Sequence, residues 1–353
     1  MSSFPFVSVI IPIRNESAYI KHGLHAILIQ DYPADCMEIL IADGMSTDNT
    51  RNMIHDFAAI HPQIHIRILD NPREIVPTGI NIALRQARGE IMIRVDGHTI
   101  IAPDYVRQCV DALQRTQADN VGGKMNAVGS NSFGKVVALA TSTPFGVGGA
   151  RFHYSDAEEW VDTVYMGAWP RRVFEKIGLF DEELVRDQDD EFNYRLRKQG
   201  GRILLSPAIF SEYTVRSMPR ALWRQYYQYG FWKIRVLQKH PRQMSLRQFA
   251  PPAFVLSLVL SFFLLFIPFP SFMVHPSAFI FLLYIPANLF ASIWSLLKKA
   301  IPHSLFSTLY SLPLIFSILH ISYGLGFLIG LVMFATRWGD KQGQTPTFVN
   351  QDA

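Results

Sequence analysis

From Ala250 to Thr336 the chain contains no Asp, Glu or Arg and only two lysines, Lys298 and Lys299. Helices in a water-soluble domain need charged or polar residues along their outer face, and a run this poor in charge cannot supply them. Three apolar stretches, at 251–270, 277–297 and 305–335, approach or exceed the ~20 residues that a helix needs to cross a bilayer. The third contains Pro313, Gly324, Gly326 and Gly330, which point to a kink or a partly re-entrant course. Residues 1–249 have ordinary globular composition, although 49% of the whole chain is hydrophobic. The expected organisation is a soluble α/β domain over 1–215, a basic and aromatic interfacial segment over 216–249, a membrane domain over 250–336 and a polar tail over 337–353.

Charge placement suggests an orientation. Between Tyr213 and Phe249 there are eight Lys or Arg residues and no acid, immediately before the first apolar stretch. Such a block favours anionic lipid and the cytoplasmic side. A multi-pass protein of the cell membrane is expected, with the N-terminal domain and the Lys298–Lys299 loop inside and the uncharged loop 267–276 outside. Three clean spans would leave the C-terminus outside, whereas Arg337 and Lys341 favour the inside. The two cysteines, Cys36 and Cys109, are too few for a disulfide framework and suit a reducing compartment. The opening "MSSFPFVSVIIPIRNE" has no basic region ahead of its short apolar run, which reads as a strand and not as a signal peptide.

The first 126 residues alternate between two hydrophobic periods. "VSVIIP" (7–12), "EILIAD" (38–43), "IHIRILD" (64–70) and "EIMIRVD" (90–96) read as strands. Between them, 17–30, 46–61, 78–87 and 103–114 read as helices, with Ser17 as the cap of the first and Pro103 in the first turn of the last. This alternation predicts a Rossmann-like, mostly parallel sheet with helices on both faces. Beyond it, the Gly, Ser and Thr of 141–155 predict a loop, 171–184 a helix and turn, 187–201 a helix ending at glycines, and 202–207 a strand.

Polar clusters fall where the strands end. The first strand runs into Pro12, Arg14, Asn15 and Glu16, the second into "ADGMSTDNT" with Asp43, and the fourth into "VDGH" with Asp96 and His98. In open α/β sheets ligands bind at the carboxyl ends of strands. Each residue alone has an ordinary explanation, Asp43 as a helix-capping Asp among them; the three in order make a site. A dinucleotide oxidoreductase would need G-x-G-x-x-G after the first strand, and "IPIRNE" stands there instead. A later run, "DQDDEFNYRL" (187–196), packs four acids into five residues, which repel one another unless counter-charges are supplied.

On "VSVIIPIRNE", "EILIADGMSTDNT", "GEIMIRVDGH", "GLFDEEL" and "DQDDEFNYRLRKQGG" the chain resembles the family 2 glycosyltransferases of the GT-A fold, over about residues 5–235. Within that family it is most similar to succinoglycan-type exopolysaccharide glucosyltransferases, which join such a domain to a C-terminal membrane segment. The resemblance implies that Pro12, Arg14, Glu16 and Asp43 contact uridine, and that Asp96 and His98 hold ribose, diphosphate and a divalent metal. The family usually has Asp where His98 stands; imidazole suits Mn²⁺ and shifts preference away from Mg²⁺. Against the family pattern E-D-x-D-L-x-x-R-L, Gln188 replaces the Glu, Asp189 aligns with the Asp, and Glu191 and Arg195 with the second acid and the Arg. That alignment makes Asp189 the general base, with Asp190 as the alternative.

Processive members of the family carry Q-x-x-R-W near the membrane; here Gln228 and Trp232 are present, but Phe231 precedes the Trp. This favours single transfer, with Gln188, Asp190, Arg195, Gln228 and Trp232 as candidate acceptor contacts and Trp223, Tyr226, Tyr227 and Trp232 as an interfacial belt. The expected function is inverting transfer of one sugar, glucose first among candidates, from a UDP-sugar to a polyprenyl-diphosphate saccharide in exopolysaccharide or cell-surface glycan synthesis. A processive synthase is the alternative within the family, and a non-catalytic membrane scaffold the alternative outside it. Other glycan-assembly enzymes are candidate partners; nucleic acid is not.

Overall fold

A computed structural model of the chain describes residues 4–264, 266, 278–298, 305–340, 343 and 345–348. The chain divides into two compact units: Met1–Asn126, Ala150–Thr214 and Gly343–Ala353 form the first, Ala127–Gly149 and Val215–Gln342 the second. Residues 127–149, expected in the first domain, cluster with the second unit, and the expected polar tail divides at Gly343, from which it clusters with the first.

The first unit opens with β1 (Val7–Ile13), α1 (Ile20–Leu28), β2 (Met37–Asp43), α2 (Thr50–Ile60), β3 (His65–Asp70), α3 (Val76–Gln86), β4 (Ile91–Arg94), β5 (Thr99–Ile101), α4 (Tyr105–Thr116) and β6 (Asn120–Val128). Helices α5 (Ser132–Thr141) and α6 (Pro144–Val147) belong to the second unit. The chain then returns with β7 (Glu159–Trp160), β8 (Tyr165–Pro170), α7 (Arg172–Ile177), α8 (Gln188–Lys198) and β9 (Ile203–Thr214). Among the described residues the sheet has nine strands in the order β3-β2-β1-β4-β8-β6-β9-β5, with β7 beside β9.

Strands β3, β2, β1 and β4 are parallel, as the alternation predicts. Every residue of β1 and β2 is buried, because helices cover both faces and the strands need an apolar side chain in each direction. Val7, Val9, Ile11 and Ile13 join the core under α1 and α4, while Ile10, Leu40 and Ala42 join the core around α3, α7 and α8. The expected strand at 202–207 is the start of β9, but the antiparallel pairings were not legible in the sequence: β8 joins β4 and β6 antiparallel, and β5 and β7 each pair antiparallel with β9. Strands β5 and β7 are short, and β8 is irregular. In β8, Met166 and Gly167 both take positive φ (60° and 83°), which breaks the alternation that marks a strand.

Several boundaries also differ. Helix α1 starts at Ile20 behind Tyr19, so Ser17 is not its cap; the Ser17 N–H donates instead to Asp48 Oδ2 at 3.2 Å. Pro103 precedes α4, whose N-cap is Asp104. The expected loop 141–155 contains α6 and a 3₁₀ turn at Arg151–His153, with Thr143 accepting from Gly146 N as the cap of α6.

The second unit adds α9 (Pro219–Lys239), α10 (Ala250–Leu264), α11 (Ala278–Lys298) and α12 (Leu305–Met333), so each expected apolar stretch contributes a helix. Among the described residues two helical stretches, Leu246–Leu264 and Leu309–Met333, suffice by length and composition to cross a membrane. Large apolar side chains face outward on α10, α11 and α12, Phe262, Phe263, Leu283, Phe290, Leu297 and Val332 among them. The expected outside loop 267–276, Lys299 and Lys341 lie outside the described residues. Helix α9 lies close against α12. A Cβ on Gly326 would stand 2.1 Å from Tyr227 O, and one on Gly230 2.0 Å from Tyr323 O, so only glycine permits this approach. The basic block splits in two: Lys233, Arg235 and Lys239 are buried, whereas Arg216, Arg220, Arg224, Arg242 and Arg247 are exposed.

Candidate active site

Strand register brings the polar clusters together. Ile13 pairs with Asp43 and Asp43 with Asp70, while Ile10 pairs with Arg94, so the carboxyl ends of β1, β2 and β4 lie side by side.

The loops after β1 and β2 are stitched to each other. Asn15, at φ 55°, donates from its N–H to Ser46 Oγ (2.9 Å), and its Oδ1 accepts from Thr47 N (2.8 Å). The Glu16 N–H donates to Thr50 Oγ1 at 2.8 Å. Asp43 is fully buried, and its carboxylate accepts from Ser46 N (3.2 Å) and Ser46 Oγ (2.5 Å), with Arg51 Nη1 at 3.6 Å. It therefore organises the turn after β2 and does not cap α2. The cap region of α2 is served by Asp48, which accepts from Thr50 N and Oγ1; these bonds hold its carboxyl down at about 2. Pro12 is buried within β1, and Arg14 reaches Glu74 at 2.6 Å on the half-exposed rim.

The turn after β4 carries the central charges. Gly97 lies so close to the first strand that a Cβ would stand 2.7 Å from Ile13 Cγ2. This approach places His98 beside Glu16, with His98 Nδ1 3.1 Å from Glu16 Oε1. The rings of Tyr213 and Tyr19 stand edge-on to the imidazole at 5.3 and 6.5 Å. Two residues expected in different roles, uridine contact and metal ligand, thus form one pair.

Asp96 and Asp189 meet through a residue that the sequence reading passed over. The guanidinium of Arg94, whose side chain is only 6% exposed, donates from Nε to Asp96 Oδ1 (2.7 Å) and from Nη1 to Asp189 Oδ1 (2.5 Å). A signal was available: Arg94 is a lone charge inside an otherwise apolar strand. Tyr165 OH donates to Asp96 Oδ2 at 3.4 Å and shares a hydrogen bond with Thr99 Oγ1 at 2.8 Å; no periodicity marks Tyr165, because β8 is irregular.

The two carboxylates titrate in opposite directions. Burial works to raise Asp96, but the charge of Arg94, aided by His98 and by hydrogen bonds from Arg94 and Tyr165, outweighs it, and the carboxyl falls below its usual range. Asp189 keeps 35% of its side chain open, yet burial pushes its carboxyl up to about 6. Arg94 opposes this rise, and Asp96 and Asp190 reinforce it.

The acid run now has its counter-charges. Asp189, Asp190 and Glu191 occupy the first turn of α8, where the helix dipole favours anions. Glu191 is buried and takes Arg195 bidentately, at 2.6 and 3.0 Å. Arg195 also donates to the carbonyls of Ile177 (2.5 Å) and Leu179 (2.8 Å), so its donors brace the turn after α7. Gln188 is buried at the start of α8, and Asp190 is half-buried beside Asp189. Gln228 and Trp232 lie on α9 in the second unit, where the Trp232 ring packs on Phe334 at 5.8 Å. Phe231 stacks on Tyr227 at 6.2 Å and meets Phe334 at 4.9 Å, so these aromatics are packing partners of α9 and α12.

The donor set suits a divalent ion only if the substrate completes it. Among the described residues no three His, Cys, Asp or Glu gather as a metal cluster. Asp96 and His98 offer one oxygen and one nitrogen ligand, and hard divalent ions commonly pair one or two protein ligands with phosphate oxygens and water. The contact with Glu16 engages His98 Nδ1, as outer carboxylates do for metal-bound histidines, so Nε2 would be the nitrogen to face an ion.

Acids at the carboxyl ends of the parallel strands thus meet an acid from the first turn of α8 through Arg94, at the edge of the sheet where open α/β folds bind ligands. The chain belongs to glycosyl transferase family 2, whose model matches residues 8–178. The succinoglycan biosynthesis protein ExoA of Rhizobium meliloti is 30% identical over 247 residues, 69% of this chain and 74% of that protein. The dolichyl N-acetyl-alpha-D-glucosaminyl phosphate 3-beta-D-2,3-diacetamido-2,3-dideoxy-beta-D-glucuronosyltransferase of Methanococcus voltae is 29% identical over 335 residues, 93% of this chain and 97% of the relative. The mannosyltransferase PcManGT of Pyrobaculum calidifontis, solved with GDP-Man and Mn2+, shares the fold with a TM-score of 0.58 at 21% identity, over 94% of this chain and 88% of that one.

Proposed function

We propose that this glycosyltransferase moves one sugar, with inversion, from a UDP-sugar to a saccharide carried on a polyprenyl diphosphate, at the cytoplasmic face of the cell membrane. The observation that carries the reading is the Asp96–Arg94–Asp189 bridge, in which a donor-side carboxylate held ionised faces a base-side carboxyl raised to about 6. A carboxylate with that affinity for protons takes one from an acceptor hydroxyl more readily than an ordinary Asp does. Asp189 is the base in this reading: its open edge receives the hydroxyl while Arg94 holds the other oxygen. Attack by that hydroxyl on the anomeric carbon, opposite the departing diphosphate, converts an α-linked donor into a β-glycoside.

Asp96 and His98 are the residues to hold a divalent ion, and Glu16 fixes which imidazole nitrogen faces it. An ion bound there offsets the charge of the diphosphate as it leaves. The neighbouring fold was solved with Mn2+, which supports the same cofactor class here. The acceptor class is supported by the relatives' names, one for a dolichyl-phosphate-linked substrate and one for succinoglycan biosynthesis. Exposed Arg216, Arg220 and Arg224 suit an anionic lipid head group. The apolar outer faces of α10, α11 and α12 suit insertion in a bilayer.

The test is transfer from labelled UDP-sugars, UDP-glucose first, into lipid extract of the native host, with and without EDTA. Label in the chloroform-soluble fraction that disappears with EDTA is expected. Label confined to water-soluble product would overturn the lipid acceptor, and transfer that survives EDTA would remove the metal.

A further inference from the structure

The last described residues do not trail away from the protein. Leu179 N–H donates to Pro346 O at 3.0 Å. The Phe348 ring lies 6.2 Å from Phe174 and 5.5 Å from the Arg171 guanidinium, and it packs against the core cluster that contains Phe174, Phe180 and Phe192. Gly343 runs so near buried Asp181 that a Cβ would stand 2.4 Å from Asp181 Oδ2. A Cβ on Gly178 would likewise meet Pro346 O at 3.1 Å. Three separated residues of the tail therefore fit one surface, the turn between α7 and α8. That is the same turn that Arg195 holds through the carbonyls of Ile177 and Leu179.

We infer that residues 343 and 345–348 are a strap belonging to the catalytic unit, and that the chain therefore ends on the same side of the bilayer as that unit. This rests on the membrane reading above and adds a constraint to it. The polypeptide leaves the catalytic unit at Thr214 and is back on it at Gly343. A folded unit lies wholly on one side of a bilayer, because loops and sheet edges do not stand exposed in hydrocarbon. The number of full crossings between Val215 and Gln342 must then be even. Among the described residues three apolar helices lie in that interval, so at most two of them cross completely. The positive-inside reading left the C-terminus open, with three spans set against Arg337 and Lys341; the strap decides for the side of the catalytic unit.

The test uses the full-length chain in membrane vesicles, with Cys36→Ser and Cys109→Ala as background. One variant carries Gln63→Cys on the catalytic unit and another Thr347→Cys, both at exposed positions. A membrane-impermeant maleimide is applied to right-side-out and to inverted vesicles. Both variants are expected to label in inverted vesicles only. Labelling of Thr347→Cys from the face opposite to Gln63→Cys would overturn the inference. Alkaline carbonate extraction separates the two ideas: release of the protein would sink the membrane reading, while retention with opposite-face labelling would sink the strap alone. Should the cysteine-free background fail to fold, fusion of a cytoplasm-active fluorescent reporter or a periplasm-active phosphatase after Ala353 reads the same side. Phosphatase activity without fluorescence would again overturn the inference.

Discussion

At the scale of single residues the site is organised by one arginine shared between two acids. Because Asp189 is open on one edge and held by Arg94 on the other, Asp189→Asn keeps the shape and removes the proposed base. Transfer is expected to fall by ~10²–10⁴-fold, with UDP affinity by calorimetry nearly unchanged. Asp190→Asn should retain most activity; the reverse pattern would move the base to Asp190. The raised carboxyl of Asp189 also sets a pH dependence with opposite signs for rate and stability. The base acts when deprotonated, so kcat/KM should rise with pH through about 6. For stability, a carboxyl moved from 3.8 to about 6 binds its proton more tightly when folded. That contribution is fully present below 3.8 and is lost as pH rises through about 6, so Asp189→Asn should flatten the fall in stability across this window. Thermal melts of both proteins between pH 4 and 7, taken at about half-unit steps, check this.

At the scale of elements, glycines decide which helices touch. The α9–α12 contact in the second unit depends on Gly230, Gly326 and Gly330, each meeting a backbone atom or a packed side chain of the other helix. At Gly326 the obstacle is Tyr227 O, a backbone atom that cannot rotate aside. Gly326→Val should therefore part the helices at a cost of about 1–3 kcal/mol or more. A melting temperature lowered by several degrees in detergent is the expected outcome, with UDP-sugar binding by the first unit retained. A variant as stable as the parent would mean that the contact is not tight. The same contact accounts for the buried basic residues: Arg235, fully buried on α9, is held by Gln238 at 2.5 Å and by Asp340 at 3.3 Å. Of the eight basic residues expected to favour anionic lipid, three are internal.

At the scale of the whole molecule the question is what the acceptor does after one transfer. Where processive relatives have an arginine, Phe231 packs between Tyr227 and Phe334 and offers no hydrogen-bond donor. Polar side chains described on the apolar helices bond to nearby backbone: Asn288 donates to Pro313 O at 3.0 Å, and Ser317 Oγ donates to the same carbonyl at 2.9 Å. A polymer moving through such a bundle would find few groups to replace its bonds to water. Mass spectrometry of glycolipid made with excess UDP-sugar should therefore show one added residue. A ladder of products would instead favour the processive synthase.

Much of this protein could be read from its sequence by itself. The parallel half of the sheet was legible because buried parallel strands are continuous apolar runs and the helices between them repeat at 3.6. The grouping of the candidate site residues of those strands was legible because chain order puts strand ends, and hence Asp43, Asp96 and His98, on one edge. The apolar helices were legible because a missing charge is a local property. What only the tertiary structure decided involves partners far apart in sequence. Arg94 meets Asp189 across ninety-five positions, Glu16 meets His98 across eighty-two, and the tail meets Leu179 from beyond the last apolar helix. No periodicity encodes such pairs. They follow from sheet order and from the turn of each loop, and these are set by packing once the whole chain has folded.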